Sequence, residues 1–291
     1  MALLASAPLA VSFLSASGAD AINDRKMAPG EESSSLPLPA GLSRPVGTGS
    51  ARAAAGLRKL PRAHSAGTER FPLLYQLLRA CCAPVLRRAF DLSVSGLEHL
   101  PATGPFILAA NHHNYVDGVV LGVAVPRPIS FLVMPRVFNA SPLHPYLHRG
   151  IGSIPVNLER PDPGAIKRVL RALEMGRVVG IFPEGPFSRE GHLVTGQPGV
   201  ALIAARSGVP VVPAAIAGTY EALVERRLYV PRWHPLSVRF GRPLHFGRPR
   251  QSRVTRSERE EITRHIMGEI ASLLGARRDL GLRPGGRLGN A

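Results

Sequence analysis

Two adjacent histidines, His112 and His113, stand five and four residues ahead of Asp117 in the stretch NHHNYVDG, residues 111–118. A histidine beside a carboxylate can take a proton from a hydroxyl, while the carboxylate fixes the ring's tautomer and stabilises the imidazolium. By spacing, either ring meets that description. The chain lacks the Gly-x-Ser-x-Gly elbow of serine hydrolases, so the hydroxyl is expected to come from a substrate. The purely structural alternative has Asp117 favouring the first turn of a helix, where negative charge is stabilised, and Asn114 capping it.

A second group lies in IFPEGPFSREG, residues 181–191. A strand end would deliver Glu184 and Ser188 to a turn, and Gly185 would let backbone approach a ligand closely. Arg189 with neighbouring backbone N–H groups suits an anion. An ordinary Pro-Gly turn uses the same residues. Further along the chain from Asp117, HPYLH places His144 and His148 at i and i+4, a zinc-binding spacing if His112 or His113 supplied a third ligand. Pro145 argues against a regular helix there, and no glutamate stands between the two histidines.

Residues so scattered need a scaffold that gathers strand ends. FILAAN (106–111) reads as a buried strand, DGVVLGVAV (117–125) as the following helix, and ISFLVM (129–134) and GSIPVN (152–157) as strands. Over 163–175, Ile166, Val169, Leu170 and Leu173 share one helical face, with Lys167, Arg168 and Arg171 on the other. VVGIF (178–182), VPVVPAAI (209–216) and LSVRFG (236–241) read as strands, and 197–207 as a helix. Ser257 and Glu260 make a capping box that opens a last helix running to about Leu274. Such alternation predicts an α/β fold, a mixed β-sheet flanked by helices, with ligands at the carboxyl ends of the strands.

Upstream, FPLLYQLLRACCAPVLRRAF (71–90) repeats Leu73, Leu74, Leu77, Leu78, Cys81, Cys82, Val85 and Leu86 at helical spacing, interrupted by Arg79, Pro84, Arg87 and Arg88. It falls short of the ~18–20 apolar residues that span a bilayer. It reads as an amphipathic membrane-interface helix or, equally, as a core helix. Residues 1–66, rich in Gly, Ser, Pro, Ala and Arg, read as a disordered leader. Residues 67–275 form the expected domain, and 276–291 a basic flexible tail.

At 291 residues the chain can bury a substantial core. Lys and Arg total 36 against 20 Asp and Glu, a formal charge of +16. That excess favours an acidic membrane surface, phosphorylated small molecules, an acidic carrier protein or nucleic acid. Aromatic residues are only 5%, with no run interleaving them with basic ones. This argues against nucleic acid held by base stacking. Cys81 and Cys82 are neighbours with no third cysteine, so neither a disulfide framework nor a Cys-x-x-Cys site is implied.

Four blocks occur in order: NHHNYVD, GSIPV, FPEGPFS and VPVVPAAI. Together, over about residues 70–275, they resemble the glycerolipid acyltransferase family, typified by 1-acylglycerol-3-phosphate (lysophosphatidate) acyltransferases. The family's Asn-His-x4-Asp block is met by Asn111, His112 and Asp117. Its Phe-Pro-Glu-Gly-Thr-Arg-Ser block is met at Phe182, Pro183, Glu184, Gly185 and Ser188. Its Val-Pro-hydrophobic-Pro strand is met at Val209, Pro210 and Pro213. The resemblance implies a glycerolipid acyltransferase-like fold and transfer of a fatty acyl chain from acyl-CoA or an acyl carrier protein to a lysolipid hydroxyl in phospholipid biosynthesis. It implies His112 as base, Asp117 orienting it, and Asn111, Glu184, Gly185 and Ser188 binding substrate, with Arg189 and Arg160 as further substrate-binding candidates read from the residues themselves. It further implies no metal or redox cofactor, no nucleic-acid partner, and a peripheral place on the cytoplasmic face of a membrane.

Two departures bear on the acceptor. Phe187 stands where the family has arginine, after Pro186 in place of threonine, and Leu158 stands at the second block's arginine, with Arg160 two residues later. A guanidinium grips phosphate with paired hydrogen bonds that Phe and Leu cannot make. Either Arg160, Arg189, Lys167 or Arg168 substitutes, or the acceptor is a lysolipid other than lysophosphatidate. HHNYVDG also matches the His-His-x3-Asp-Gly pattern of condensation-type acyltransferases, whose second histidine is catalytic, but those are longer chains without the Phe-Pro-Glu-Gly block. A basic, non-enzymatic nucleic-acid- or membrane-binding protein would account for the charge and leave four ordered blocks unexplained.

Overall fold

The computed structural model describes residues 72–157, 162–185, 191–222, 232–246 and 254–275. The leader, the tail, and the boundaries expected at 66 and 276 lie outside the described residues. Seven strands are described: β1 (Ser93–Ser95), β2 (Phe106–Ala110), β3 (Ile129–Val133), β4 (Ile154–Pro155), β5 (Val178–Ile181), β6 (Val211–Ala217) and β7 (Ser237–Phe240). They form one sheet in the order β1-β7-β6-β2-β5-β3-β4. Neighbours run parallel except β6 and β7, so the sheet is mixed, as expected.

The helices among the described residues are α1 (Leu73–Arg88), α2 (Val116–Ala124), α3 (Pro135–Phe138), α4 (His144–Gly150), α5 (Pro163–Glu174), α6 (Gly199–Ser207), α7 (Thr219–Ala222) and α8 (Arg256–Gly275). All five residues of β2 are buried, because parallel strands covered on both faces carry continuous apolar runs. Phe106, Leu108 and Ala110 point to one face, where Leu86 of α1 and Val120 and Leu121 of α2 complete a cluster. Ile107 and Ala109 point to the other, against Val169 and Leu173 of α5, Val200 and Ile203 of α6, and Ile266 and Ile270 of α8.

This layering sets where a ligand would fit. The connection from β2 runs through α2 on the first face towards β3, and that from β5 runs through α6 on the second face to β6. Adjacent strands whose connections depart in opposite directions leave a crevice at their carboxyl ends. NHHNYVD and FPEG occupy those two ends.

Helix α1 presents two different apolar surfaces. Tyr75 and Leu86 are buried, the Tyr75 hydroxyl accepts a hydrogen bond from Ile129 N–H at 3.3 Å, and Arg79 Nη2 donates to Val123 O at 3.2 Å. Leu74 seats against Gly150 of α4, where an added Cβ would meet Leu74 Cδ2 at 2.7 Å. Leu73, Leu77, Leu78 and Val85 stay exposed. The apolar residues anticipated as one stripe are therefore divided between the domain and solvent.

Two local readings are corrected, and one strand is added. Pro145 does not prevent a helix, because it lies in the first turn of α4, where its missing N–H has no intrahelical partner to lose. The capping box of α8 is Thr255 with Glu258 rather than Ser257 with Glu260: Glu258 N–H donates to Thr255 Oγ1 at 3.3 Å, and Thr255 N–H to Glu258 Oε2 at 2.9 Å. Glu260 instead accepts from Arg256 Nε at 2.8 Å. Finally, β1 is a strand that the sequence pattern did not suggest.

Candidate active site

The site begins where β2 stops. The side-chain amide of Asn111, wholly buried, continues the sheet ladder: Ile216 N–H donates to Asn111 Oδ1 at 2.7 Å, and Asn111 Nδ2 donates to Ile216 O at 2.8 Å. The chain thus leaves β2 tied to β6. Asn114 forms the next tie, accepting from Val116 N–H at 2.8 Å and donating through Nδ2 to Thr219 O at 2.5 Å. Its side chain turns the chain into α2 from one residue before the N-cap, Tyr115.

Asp117, in the first turn of α2, is also wholly buried. Its Oδ2 accepts from His113 N–H at 2.6 Å, Asn114 N–H at 2.8 Å and His112 Nδ1 at 2.9 Å. The loop closes around one carboxylate oxygen. A hydrogen bond from Nδ1 to this oxygen selects the tautomer with its proton on Nδ1, which leaves the lone pair on Nε2. His112 keeps 16% side-chain exposure against none for Asp117. A ring backed by a buried carboxylate and facing outward can take a proton from a bound hydroxyl.

Glu184 follows β5 and ties the second strand end to the first. Its Oε1 accepts from His112 N–H at 2.7 Å and its Oε2 from Val194 N–H at 3.0 Å. Burial pushes the Glu184 carboxyl above the usual carboxylate range, opposed by the Val194 and His112 hydrogen bonds and by the nearby histidines. Gly185 takes φ +79°, in the left-handed region, and donates to Phe182 O at 3.0 Å. Phe182 lies under the His112 ring, centroids 4.0 Å apart and planes 10° from parallel.

The structure therefore gathers His112, Asp117, Glu184 and Asn111 and sets Gly185 on the same turn as Glu184. Asn111 and Glu184, expected against substrate, direct their described hydrogen bonds to backbone and hold the loop. Arg160, Ser188 and Arg189 lie outside the described residues, as do Leu158 and Phe187. His113 is buried with its ring edge-on to Tyr220 at 6.0 Å, and neither ring nitrogen has a hydrogen-bond partner among the described residues. His144 and His148 stand 6.0 Å apart between ring centroids, and their Nδ1 atoms meet Ser141 and Ser153. Among the described residues, no group of three or more His, Cys, Asp or Glu is arranged to hold a metal. Thr219 and Ile216 contribute through backbone atoms, which carry no residue signature for a sequence reading to find.

A family model described as Acyltransferase matches residues 91–217. The 1-acyl-sn-glycerol-3-phosphate acyltransferase of Bacillus subtilis is 34% identical over 142 residues, 47% of this chain and 70% of that protein. The chloroplastic 1-acyl-sn-glycerol-3-phosphate acyltransferase LPAT1 of Arabidopsis thaliana is 30% identical over 135 residues, 45% of this chain and 37% of that protein. Among solved structures, the 1-acyl-sn-glycerophosphate (LPA) acyltransferase PlsC from Thermotoga maritima aligns with a TM-score of 0.56 at 20% identity. That alignment covers 73% of this chain and 83% of the Thermotoga chain, and indicates a common fold.

Proposed function

Since this chain belongs to the glycerolipid acyltransferase family, we propose that it moves a fatty acyl group from a thioester to a lysolipid hydroxyl, with His112 as general base. One observation carries this reading: His112 Nδ1 is held at 2.9 Å by the buried Asp117 carboxylate at the crevice between β2 and β5. The acceptor hydroxyl gives its proton to His112 Nε2 as its oxygen attacks the thioester carbonyl. The tetrahedral intermediate collapses with cleavage of the C–S bond, and the departing thiolate takes the proton back from the imidazolium. Asp117 holds the ring in the required tautomer and stabilises its charged form. The reaction so written draws on no metal or redox cofactor.

The donor is acyl-CoA or an acyl carrier protein, both anionic and suited to a chain of charge +16. The acceptor is a lysophospholipid of the 1-acylglycerol-3-phosphate type, or, on the strength of Phe187 and Leu158, one without a terminal phosphate. Membrane contact is proposed through the exposed Leu73, Leu77, Leu78 and Val85 of α1 together with Arg87 and Arg88, an apolar face beside cations that suits an anionic bilayer surface. Leu143 and Tyr146 are exposed at α4, which packs against α1, and would extend that face. No helix among the described residues is long and apolar enough to cross a membrane, consistent with a peripheral place, proposed on the cytoplasmic face. The deciding experiment offers purified protein a labelled acyl thioester and a panel of lysolipids, with products read by mass. Acylation of none of them would remove the proposal.

A further inference from the structure

Three rings from separate parts of the chain lie nearly parallel in successive contact. His112 lies on Phe182 at 4.0 Å and 10°, and Phe182 lies parallel to Phe131 at 5.7 Å and 5°. Phe131 belongs to β3, Phe182 follows β5, and His112 follows β2. Gly180 makes the room: it pairs with Leu108 on one side and Phe131 on the other, and an added Cβ would meet both Cδ1 and Cε1 of Phe131 at 2.5 Å. A glycine inside a buried strand weakens that strand, so its presence marks a close approach that a side chain would block.

We infer that Phe182 and, through it, Phe131 are positioning residues for His112. The inference rests on the reading of His112 as the base. The hydrogen bond from Nδ1 to Asp117 anchors one edge of the imidazole. The face of Phe182, flat against the ring at 4.0 Å, limits its tilt and so helps to set the direction of Nε2. It also presents the negative face of a π-system to the imidazolium that exists only during proton transfer. An interaction realised mainly in the transition state acts on kcat rather than on KM.

Phe182→Leu keeps an apolar side chain and removes the ring, while Phe182→Tyr restores the face. Phe182→Leu should lower kcat about 3- to 20-fold, with KM for donor and acceptor within about twofold, and Phe182→Tyr should recover most of the loss. Phe131→Leu, one ring further from His112, should lower kcat about 2- to 5-fold and carries the same test if Phe182→Leu does not fold. Proton NMR gives a readout independent of turnover: the His112 ring protons should resonate upfield in the parent and move downfield in Phe182→Leu. A folded Phe182→Leu enzyme with unchanged kcat, beside an inactive His112→Ala, overturns the positioning role and leaves the base intact. A rise in KM at unchanged kcat assigns the ring to substrate binding and overturns the role equally. An active His112→Ala enzyme overturns the base reading and the positioning role with it, whatever the NMR spectrum shows of the stack.

Discussion

Asp117→Asn separates the carboxylate's charge from its shape. In the parent, Oδ2 accepts from His112 Nδ1, His113 N–H and Asn114 N–H at 2.9, 2.6 and 2.8 Å. The asparagine carbonyl can occupy that position and keep both backbone donors, so the loop should survive. What disappears is the negative charge facing the imidazolium. At 2.9 Å and an effective dielectric of about 20, the attraction between two unit charges is about 6 kcal/mol, equivalent to about 10⁴ in rate. A neutral carbonyl retains part of this, and a flipped amide would impose the wrong tautomer, so kcat should fall about 10²- to 10⁴-fold. Initial rates of lysolipid acylation at saturating thioester measure the loss, with circular dichroism and melting temperature as controls on folding. A folded Asp117→Asn enzyme with kcat within about threefold of the parent would refute the assignment of Asp117 as the support of a general base.

His112→Ala should cost about 10²- to 10⁴-fold in kcat, whereas His113→Leu, which removes a buried ring whose nitrogens have no partner among the described residues, should keep most activity and melt at or above the parent temperature; the opposite pattern moves the base to His113. Leu77→Glu, on the exposed face of α1, should weaken sedimentation with anionic liposomes, and salt should weaken it further; resistance of the parent to both salt and carbonate extraction contradicts a peripheral contact. Phe187→Arg should shift acceptor preference towards lysophosphatidate, and a strong lysophosphatidate preference in the parent would instead point to Arg160 as the phosphate ligand. Glu184 is raised by burial, so the fold favours its protonated form and its contribution to stability falls as pH rises from the usual carboxylate range through the raised pKa; the parent's advantage in melting temperature over Glu184→Gln should therefore be largest at low pH, and an advantage that grows with pH contradicts the shift.

The centre of the fold was legible because burial on both faces leaves no room for ambiguity. FILAA, VVGI and VVPAAI read as strands from apolar runs alone and lie side by side as β2, β5 and β6. The edge offered no such signal. β1 is three residues, Ser93, Val94 and Ser95, of which only Val94 is partly buried, and its place depends on pairing with β7. The cap of α8 failed for a different reason: T-R-S-E at 255–258 and S-E-R-E at 257–260 are overlapping versions of one signal. Local spacing cannot choose between them. The choice falls to Arg256, which engages Glu260 and leaves Glu258 for Thr255.

The site divides along a similar line. A histidine and an aspartate five residues apart around the start of a helix can meet through local geometry, so the His112–Asp117 pair was legible. Side-chain type does not name a partner, however. Asn111 and Glu184 carry groups that would suit a substrate, yet the hydrogen bonds described for them run to Ile216, His112 and Val194 backbone, because three chain segments converge there with amide groups that burial leaves no water to satisfy. Phe131 was further out of reach still. It lies 51 residues before Phe182, and no periodicity links the two positions. Only the pairing of β3 with β5 brings their rings together, and it does so across Gly180. That glycine, set among Val178, Val179 and Ile181, was the one visible hint. A buried parallel strand gains nothing from glycine itself, so the residue that exploits the vacancy had to lie on a neighbouring strand, and Phe131 fills it from β3.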